Sequence, residues 1–251
     1  MFTKITTIIA LRYFIIAGIA FAIYYYYKKN DWLYKKIQPK FPKGNDYLRE
    51  ILYSVTTIII FSSISYSILG TSLKQYTFFY SNISDYGWWW FAGAFLIMLL
   101  LHDTYFYFAH RLMHHKKVFK YVHLIHHKST NPSPWAAFAF HPLEAVVEVG
   151  IVVIFLFIMP ITRYHLVFFF LFMMVYNVYG HLGWELYPKN FANSKFGKWI
   201  NTSVNHNQHH QFFKGNYGLY FLWWDRWLGT IRNDYETQFN EVAQRKNLNI
   251  K

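Results

Sequence analysis

Long apolar runs constrain this chain more than any other feature of its sequence. A helix needs about 20 predominantly apolar residues to cross the hydrocarbon core of a bilayer, and runs of roughly that length occur at 5–27, 51–69 and 88–101. Two more runs follow in close succession, at 145–160 and 164–180. A content of 54% hydrophobic and 23% aromatic residues exceeds that of ordinary soluble domains. The pattern therefore predicts an all-α, helical integral membrane protein.

The first and fourth runs decide how many membrane segments are predicted. The first run contains Arg12, lacks a small-residue cleavage site and ends in four tyrosines, so it is predicted to be an anchor and not a removed signal peptide. The fourth run is short and carries Glu148, which suits a tilted or re-entrant segment as well as a full span. Only three residues separate it from the fifth run, so the two runs predict a helical hairpin. We therefore expect four or five membrane segments.

The distribution of basic residues sets the predicted orientation. Short cytoplasmic loops are enriched in Lys and Arg. The segment after the first run carries seven such residues between Lys28 and Arg49, whereas the segment after the second run carries only Lys74. The segments after the third and fifth runs would share the side of the first loop, and they are basic too. These segments are therefore predicted to form a cap on the cytoplasmic side.

Charge and cysteine content narrow the possible partners and chemistry. The net charge is +13, but the basic residues lie beside apolar runs, so anionic lipid headgroups and an acidic protein are expected as partners, and nucleic acid is not. The chain has no cysteine, which excludes disulfides, thiolate zinc sites, iron–sulfur clusters and thiol nucleophiles.

The chain shows no internal repeat or low-complexity linker. Residues 1–251 are therefore predicted to form a single domain. The segment from Asn233 onward is polar, and we expect it to be peripheral.

The histidines carry the main indication of function because they are grouped. His110 and His114 form an HxxxH pair, and two HxxHH groups follow at 123–127 and 206–210. Residues three and four apart share a helical face, so each group can direct two or three imidazoles toward one point. One metal ion rarely takes more than six ligands, so these eight histidines predict two ions. A single histidine would more often be structural, but eight in three spaced groups favour metal binding.

Two side chains near the first group are candidates for supporting roles. On a continuous helix Asp103 lies within about 20° of His110 and of His114, so its carboxylate is expected to hold an imidazole N–H of a ligand. His102 points about 80° away from His110 and is the weaker candidate. Both are predicted to lie next to the metal ligands without being ligands themselves.

The sequence resembles the fatty acid hydroxylase/sterol desaturase superfamily of membrane di-iron proteins. The resemblance covers more than half of the chain, with a histidine-box core at about 95–232. Its motifs are HDTYFYFAHRLMHH, HLIHH with the following KSTNP, HPLE, NHNQHH and WDRWLGT. Among them HDTYFYFAHRLMHH, HLIHH and NHNQHH look like those of the sterol desaturase branch.

The resemblance implies a ligand set, a cofactor and a reaction class. The cofactor would be two iron ions, with zinc as a possible substitute in a purified sample, and the reaction would be O2-dependent hydroxylation or desaturation of a sterol, fatty acyl or related lipid. The family's motifs identify nine residues of this chain as ligands: His110, His114, His123, His126, His127, His181, His206, His209 and His210.

The remaining histidines and one aspartate receive other roles. The topology also supports His181 as a ligand, because it places this residue on the side of the histidine groups. His165 falls on the opposite side and is excluded as a ligand. His115 is predicted to be a surface residue. His141 precedes Pro142, so capping of the next helix or support of a ligand is expected. Asp225 is expected to reach a ligand imidazole.

The predicted reaction requires electrons from outside the chain. No G-x-G-x-x-G fingerprint for a nicotinamide or flavin is present. We therefore expect an acidic carrier, such as a cytochrome b5-like protein or a ferredoxin, to dock on the basic cytoplasmic face. The location would be the inner membrane of a bacterium or the endoplasmic reticulum of a eukaryote.

Two other classes of protein compete with this hypothesis. A membrane metal transporter could use histidines, but its ligands should lie near the bilayer midplane and not beyond the ends of the spans. A zinc-dependent membrane hydrolase normally has a general-base carboxylate, often within H-E-x-x-H, and that motif is absent.

Overall fold

The computed structural model describes residues 1–245, and within this range the chain is helical with no β-strand. The prediction of an all-α protein is therefore confirmed. A π-helical segment, Ala22–Tyr27, extends the first helix. The ten α-helices of the described range are α1 (Phe2–Phe21), α2 (Gly44–Leu69), α3 (Gly87–Met113), α4 (Phe119–Val122), α5 (Leu124–His127), α6 (Pro142–Ile158), α7 (Arg163–Gly180), α8 (Ser203–Phe212), α9 (Trp223–Trp227) and α10 (Tyr235–Ala243).

Each predicted apolar run lies in a long helix. Three of these helices, Phe2–Tyr27, Gly44–Leu69 and Gly87–Met113, are long and apolar enough to cross a membrane. Helices α6 and α7 have 17 and 18 residues, which corresponds to about 26 Å of rise. The count of four or five membrane segments therefore stays a prediction that depends on this hairpin.

Local sequence explains where the hairpin helices begin. His141 accepts a hydrogen bond from the backbone N–H of Leu143, and Pro142 follows as the first helical residue, so the capping role expected for His141 is present. Thr162 caps α7 by accepting bonds from the backbone N–H groups of Tyr164 and His165. The two caps lie at opposite ends of the hairpin, because α6 begins at His141 and α7 begins after the turn that contains Thr162.

The long helices alternate in direction, which places all histidine groups at one end. At the other end, the Trp90 indole donates to the carbonyl of Pro160 at 2.9 Å, so the turn between α6 and α7 lies beside the start of α3. His165 is also there, with Nε2 at 3.0 Å from the carbonyl of Phe91. Helices α1, α3 and α7 therefore end at the histidine side, and α2 and α6 begin there.

The segment after Asn233 is not peripheral as expected, because it contains α10. Tyr235, Phe239 and Val242 are fully buried and pack with Val204 and Leu222 of the cap. Their spacing of four and three residues forms an apolar stripe on one face of a short helix, which the polar composition of the segment concealed. Residues 246–251 lie outside the described residues.

We expect Phe239→Ala to destabilise the cap by about 3 kcal/mol, because the substitution leaves a cavity in a fully packed site. The measurement is thermal denaturation in detergent, with Thr237→Ala, an exposed position on the same helix, as the matched control. Equal melting temperatures for the two variants would contradict the packing of α10 onto the cap.

Candidate metal centre

The loops and short helices on the histidine side bring nine histidines together in two neighbouring groups. In each group the candidate ligand nitrogens lie within 4.8 Å of one another. The members are the nine residues that the family resemblance implies. Group A contains His110, His114, His123, His127 and His209, and group B contains His126, His181, His206 and His210.

Each HxxHH segment serves both groups, because adjacent residues on a helix point about 100° apart. On α8, His206 and His210 are four residues apart and face group B, while His209 faces group A. Helix α5 divides the pair His126 and His127 in the same way. Each segment therefore directs two imidazoles toward one group, as expected, and its third imidazole toward the other group. The groups are adjacent as a result.

Backbone carbonyls fix the orientation of several imidazoles. A carbonyl oxygen only accepts, so a histidine whose Nδ1 contacts a carbonyl must carry its proton on Nδ1 and leave the Nε2 lone pair free. Four histidines show this arrangement, with two in each group. The Nδ1-to-oxygen distances are 3.0 Å for His110 to Tyr217, 2.7 Å for His209 to Gly215, 2.8 Å for His181 to Asn177 and 3.0 Å for His210 to Ser129.

The Nε2 atoms of each group converge to within hydrogen-bonding distance of one another. In group B, Nε2 of His181 lies 3.1 Å from Nε2 of His206 and 3.1 Å from Nε2 of His210. In group A, Nε2 of His123 lies 3.1 Å from the Nε2 atoms of His110 and His127. Where lone pairs face one another at such distances, a shared cation satisfies them all. The donor set therefore fits one metal ion per group.

Burial keeps these imidazoles in the state that binds metal. The side chains of His127, His209 and His210 are at most 1% exposed. Burial, with the neighbouring histidines adding to it, holds the pKa of each of these imidazoles well below its usual range. At neutral pH the rings are uncharged, as metal coordination requires.

Glu144 supports group A in a way that sequence reasoning missed. Its Oε1 lies 2.7 Å from Nδ1 of His123, and both side chains are buried. A carboxylate that holds the outer N–H of a ligand imidazole fixes the ring and raises its basicity. The sequence placed Glu144 at the start of a helix beside His141. Only its position next to the fourth apolar run, where a buried carboxylate needs a partner, could have indicated this contact.

Asp103 does not hold an imidazole, so the expected partner was wrong. Its Oδ1 accepts from the backbone N–H groups of Tyr220 and Phe221, and its Oδ2 accepts from the indole of Trp223 at 2.6 Å. These three donors, all from residues 220–223, satisfy the carboxylate. Asp103 therefore anchors the 220–223 loop to α3.

Asp225 also makes no hydrogen bond to an imidazole. It affects group A indirectly, through one intervening residue. Its carboxylate accepts from the backbone N–H groups of Tyr217 and Gly218 and from the hydroxyl of Thr230. The carbonyl of Tyr217 in turn accepts from His110. Asp225 therefore positions the carbonyl that orients a candidate ligand.

The other singled-out histidines lie outside both groups. Nδ1 of His102 is 2.9 Å from the hydroxyl of Tyr220, so His102 contacts an aromatic side chain and not a ligand. His141 caps α6, and His115 is exposed. His165 is at the far end of the bundle, as expected.

Helix α2 contributes a brace to group B. The hydroxyl of Ser133 donates to Oε2 of the buried Glu50, and the guanidinium of Arg49 donates to the hydroxyl of Ser129 at 3.1 Å. The carbonyl of Ser129 accepts from Nδ1 of His210. Sequence reasoning assigned no role to α2 beyond the membrane, because nothing in a single sequence shows that this helix packs against the 129–135 segment.

Comparisons with known proteins place this arrangement in a family. The fatty acid hydroxylase family matches residues 95–230, more than half of the chain. The chain is 31% identical over 194 residues to Delta(7)-sterol 5(6)-desaturase ERG3B of Gibberella zeae, which covers 77% of this chain and 58% of that protein. It is 29% identical to Delta(7)-sterol 5(6)-desaturase erg3C of Aspergillus fumigatus, covering 75% and 63%. No solved structure gives a significant match.

The match to a mammalian relative covers a larger share of that relative's length. The chain is 30% identical over 211 residues to lathosterol oxidase of Mus musculus, which covers 83% of this chain and 68% of that protein. The chain thus spans about two thirds or less of each of these relatives. The family match runs from within α3 to beyond α9 and includes all nine clustered histidines. The chain therefore belongs to the fatty acid hydroxylase/sterol desaturase superfamily.

Proposed function

We propose that this protein is a membrane oxidoreductase that uses O2 and externally supplied electrons to hydroxylate or desaturate a lipid. The observation that carries the proposal is the pair of adjacent histidine groups, in which buried Nε2 atoms converge to 3.1 Å from one another. Family membership supports the same class of reaction. The site is proposed to be catalytic and not structural, because so many buried imidazoles are far more than a structural ion requires.

Two iron ions are the proposed cofactor, one held by group A and one by group B. When bound, the ions would supply the capacity to activate O2 and oxidise an unactivated C–H bond. The imidazoles would also accept zinc, so zinc can replace iron in a purified sample.

The residues around the ions have distinct proposed tasks. Glu144 and the carbonyls of Gly215, Tyr217, Asn177 and Ser129 fix the rings, so that the ligand geometry is formed before the metals bind. The burial of the ligands excludes bulk water, which would otherwise quench the oxidising species. The bundle below the centre is apolar and aromatic, which suits a lipid substrate.

A sterol or a related polycyclic lipid is the first substrate class to test, because the relatives' names specify sterols. The test incubates purified protein with a panel of sterols and fatty acyl lipids, O2 and a chemical reductant. Products that have lost two hydrogens or gained one oxygen, formed only with O2 and iron, are expected. A folded, iron-loaded protein that consumes no O2 with any lipid of the panel would overturn the proposal.

The electron donor is proposed to be an acidic carrier, such as a cytochrome b5-like protein or a ferredoxin, that docks on the cytoplasmic side of the inner or endoplasmic reticulum membrane. Lys116, Lys117 and Lys120 are exposed on the histidine side and form a basic patch next to group A. Opposite charges on carrier and patch would accelerate the encounter and make it sensitive to salt.

Neutralising this patch is expected to slow carrier-driven reduction. With Lys116, Lys117 and Lys120 all changed to Gln, we expect the reduction rate at low salt to fall about tenfold or more and its salt dependence to weaken. Lys74→Gln is the control, because Lys74 is exposed at the opposite end of the bundle. An unchanged rate and salt dependence in the triple variant would place the docking site elsewhere.

A further inference from the structure

Tyr217 is an oxidisable side chain that packs against the candidate metal centre, and nothing in the proposed function uses its ring. The ring centroid lies 5.2 Å from that of His114, 5.6 Å from that of His209 and 5.7 Å from that of His110. All three histidines belong to group A. Within residues 1–245, the other rings beside clustered histidines belong to phenylalanines, which are much harder to oxidise than tyrosine. They are Phe106, Phe119, Phe140 and Phe213.

A row of aromatic rings continues from Tyr217 to the surface of the cap. The ring centroid of Tyr107 lies 6.3 Å from that of Tyr217, and the centroid of Trp224 lies 6.1 Å from that of Tyr107. Trp227 follows at 5.4 Å from Trp224. Tyr107 is fully buried, whereas 63% of Trp227 is exposed. We call these four residues the aromatic chain. It connects group A to the surface in steps of no more than 6.3 Å between ring centroids.

The hydroxyl group of Tyr107 has the hydrogen-bond partners that reversible oxidation of a tyrosine requires. An oxidised phenol releases its proton, so a nearby acceptor must take the proton up and later return it. Oγ1 of Thr230 lies 2.8 Å from the hydroxyl oxygen of Tyr107 and donates to Oδ1 of Asp225 at 2.7 Å. Because the one hydroxyl proton of Thr230 is directed at Asp225, Tyr107 must donate to Thr230. The phenol proton can therefore pass to Thr230 while the Thr230 proton passes to Asp225.

The environment of Asp225 suits it to receive this proton. Its carboxylate accepts from the backbone N–H groups of Tyr217 and Gly218, which favour the charged form. Burial acts in the opposite direction and raises the pKa of Asp225. A buried carboxylate of this kind takes up a proton more readily than an exposed one.

Anchoring at the membrane interface and core packing account for single members of the aromatic chain but not for its continuity. Exposed tryptophans are common at the level of the lipid headgroups, which would explain Trp227. Packing would explain the buried ring of Tyr107. Neither explains why tyrosine and tryptophan, the most readily oxidised aromatic side chains, occupy all four positions between group A and the surface. Neither explains the proton relay from Tyr107 to Asp225.

We propose that the aromatic chain discharges the metal centre when the centre holds an oxidising equivalent and no lipid is bound. This proposal rests on the proposed function, since O2 chemistry at the centre supplies the oxidising equivalent. An oxidising equivalent that meets no substrate would otherwise attack the imidazoles that hold the metals. The chain thus protects the ligand set, a function separate from the oxidation of lipid.

The electron and the proton balance at each step. One electron passes from Tyr107 across the ring of Tyr217 to the centre, and the Tyr107 proton moves along the relay to Asp225. Trp224 then reduces Tyr107, which regains its proton, and Trp227 reduces Trp224. A soluble one-electron donor such as ascorbate reduces Trp227 at the surface. The net change is the transfer of one electron from the donor to the centre.

The test locates oxidative damage in the iron-loaded full chain after treatment with hydrogen peroxide in the absence of lipid. Peroxide delivers oxidising equivalents to the centre directly, so neither an electron carrier nor turnover is needed. Peptide mass spectrometry identifies the oxidised side chains. In native protein we expect oxidation at Trp227 that exceeds the level in the zinc-loaded chain, because zinc has no redox chemistry. Ascorbate should suppress this oxidation.

Two variants interrupt the aromatic chain at different positions. Tyr107→Phe keeps the ring and removes the phenol proton, so oxidation of Trp227 should fall to the level of the zinc-loaded chain. Oxidation of Tyr217 and of the histidines of group A should rise at the same time. Trp224→Phe should cause the same redistribution, because it removes the step between Tyr107 and Trp227.

Tyr121→Phe and Trp89→Phe are the matched controls, since both remove exposed rings outside the aromatic chain, and both should behave like native protein. Equal oxidation of Trp227 in iron-loaded and zinc-loaded protein would overturn the proposal. So would oxidation of Trp227 that persists in Tyr107→Phe and Trp224→Phe. Failure of the proposed function would appear separately, as the expected damage pattern in a protein that forms no lipid product with O2. Metal content and melting temperature verify folding, and either variant suffices if the other does not fold.

Discussion

The double variant His206→Ala, His210→Ala is expected to lose the metal of group B and to keep the metal of group A. Both side chains direct Nε2 into group B, whereas His209 on the same helix faces group A. Bound metal should fall from about two ions per chain to about one, and O2-dependent turnover should fall by at least about 100-fold, since losing ligands costs more than losing their outer-shell partners. Elemental analysis and product assays measure the two effects.

The control for this variant is Gln211→Ala, which changes an exposed residue on the same helix. It should keep both ions and full turnover. Loss of both ions in the double variant, with the melting temperature unchanged, would show that the two groups do not bind metal independently. Full retention of metal would show that group B is not a metal site.

The second large effect is expected from Glu144→Gln. This substitution keeps the size of the side chain and an amide oxygen but removes the charge that accepts from Nδ1 of His123. Removing such an outer partner typically costs 10–100-fold in metal affinity or activity, so we expect metal to be lost at about 10–100-fold lower chelator concentration. Chelator titration of the iron-loaded protein measures this shift.

Glu241→Gln is the charge-matched control, because Glu241 is exposed on α10 and lies away from the centre. A chelator curve for Glu144→Gln that coincides with those of Glu241→Gln and of native protein would contradict the supporting role of Glu144.

Sequence alone could predict the helices and the clustered histidines because both follow from local regularities. Apolar runs of membrane-crossing length predict helices, and spacings of three and four residues predict shared helical faces. The predicted set from His110 to His210 is the set that the structure brings together. The course of the loops did not have to be predicted, because the motifs already identify the residues that converge.

Sequence could not predict contacts between distant segments. The division of His126 and His127 between two groups depends on where α5 lies relative to α8, and Asp103 binds a loop about 120 residues away. Glu50 braces Ser133 from a helix outside the segment that the family matches. The burial of α10 was hidden because three apolar residues in a polar segment suffice to dock a short helix.

The central claim is that nine histidines hold two metal ions, and the most direct test is the metal content of the native chain. Protein produced with iron supplied should contain close to two transition-metal ions per chain, mostly iron, by elemental analysis of a folded, monodisperse sample. One ion per chain would contradict a binuclear centre. Negligible metal in folded protein would contradict the whole account, because the converging imidazoles would then have to serve a structural or proton-handling role.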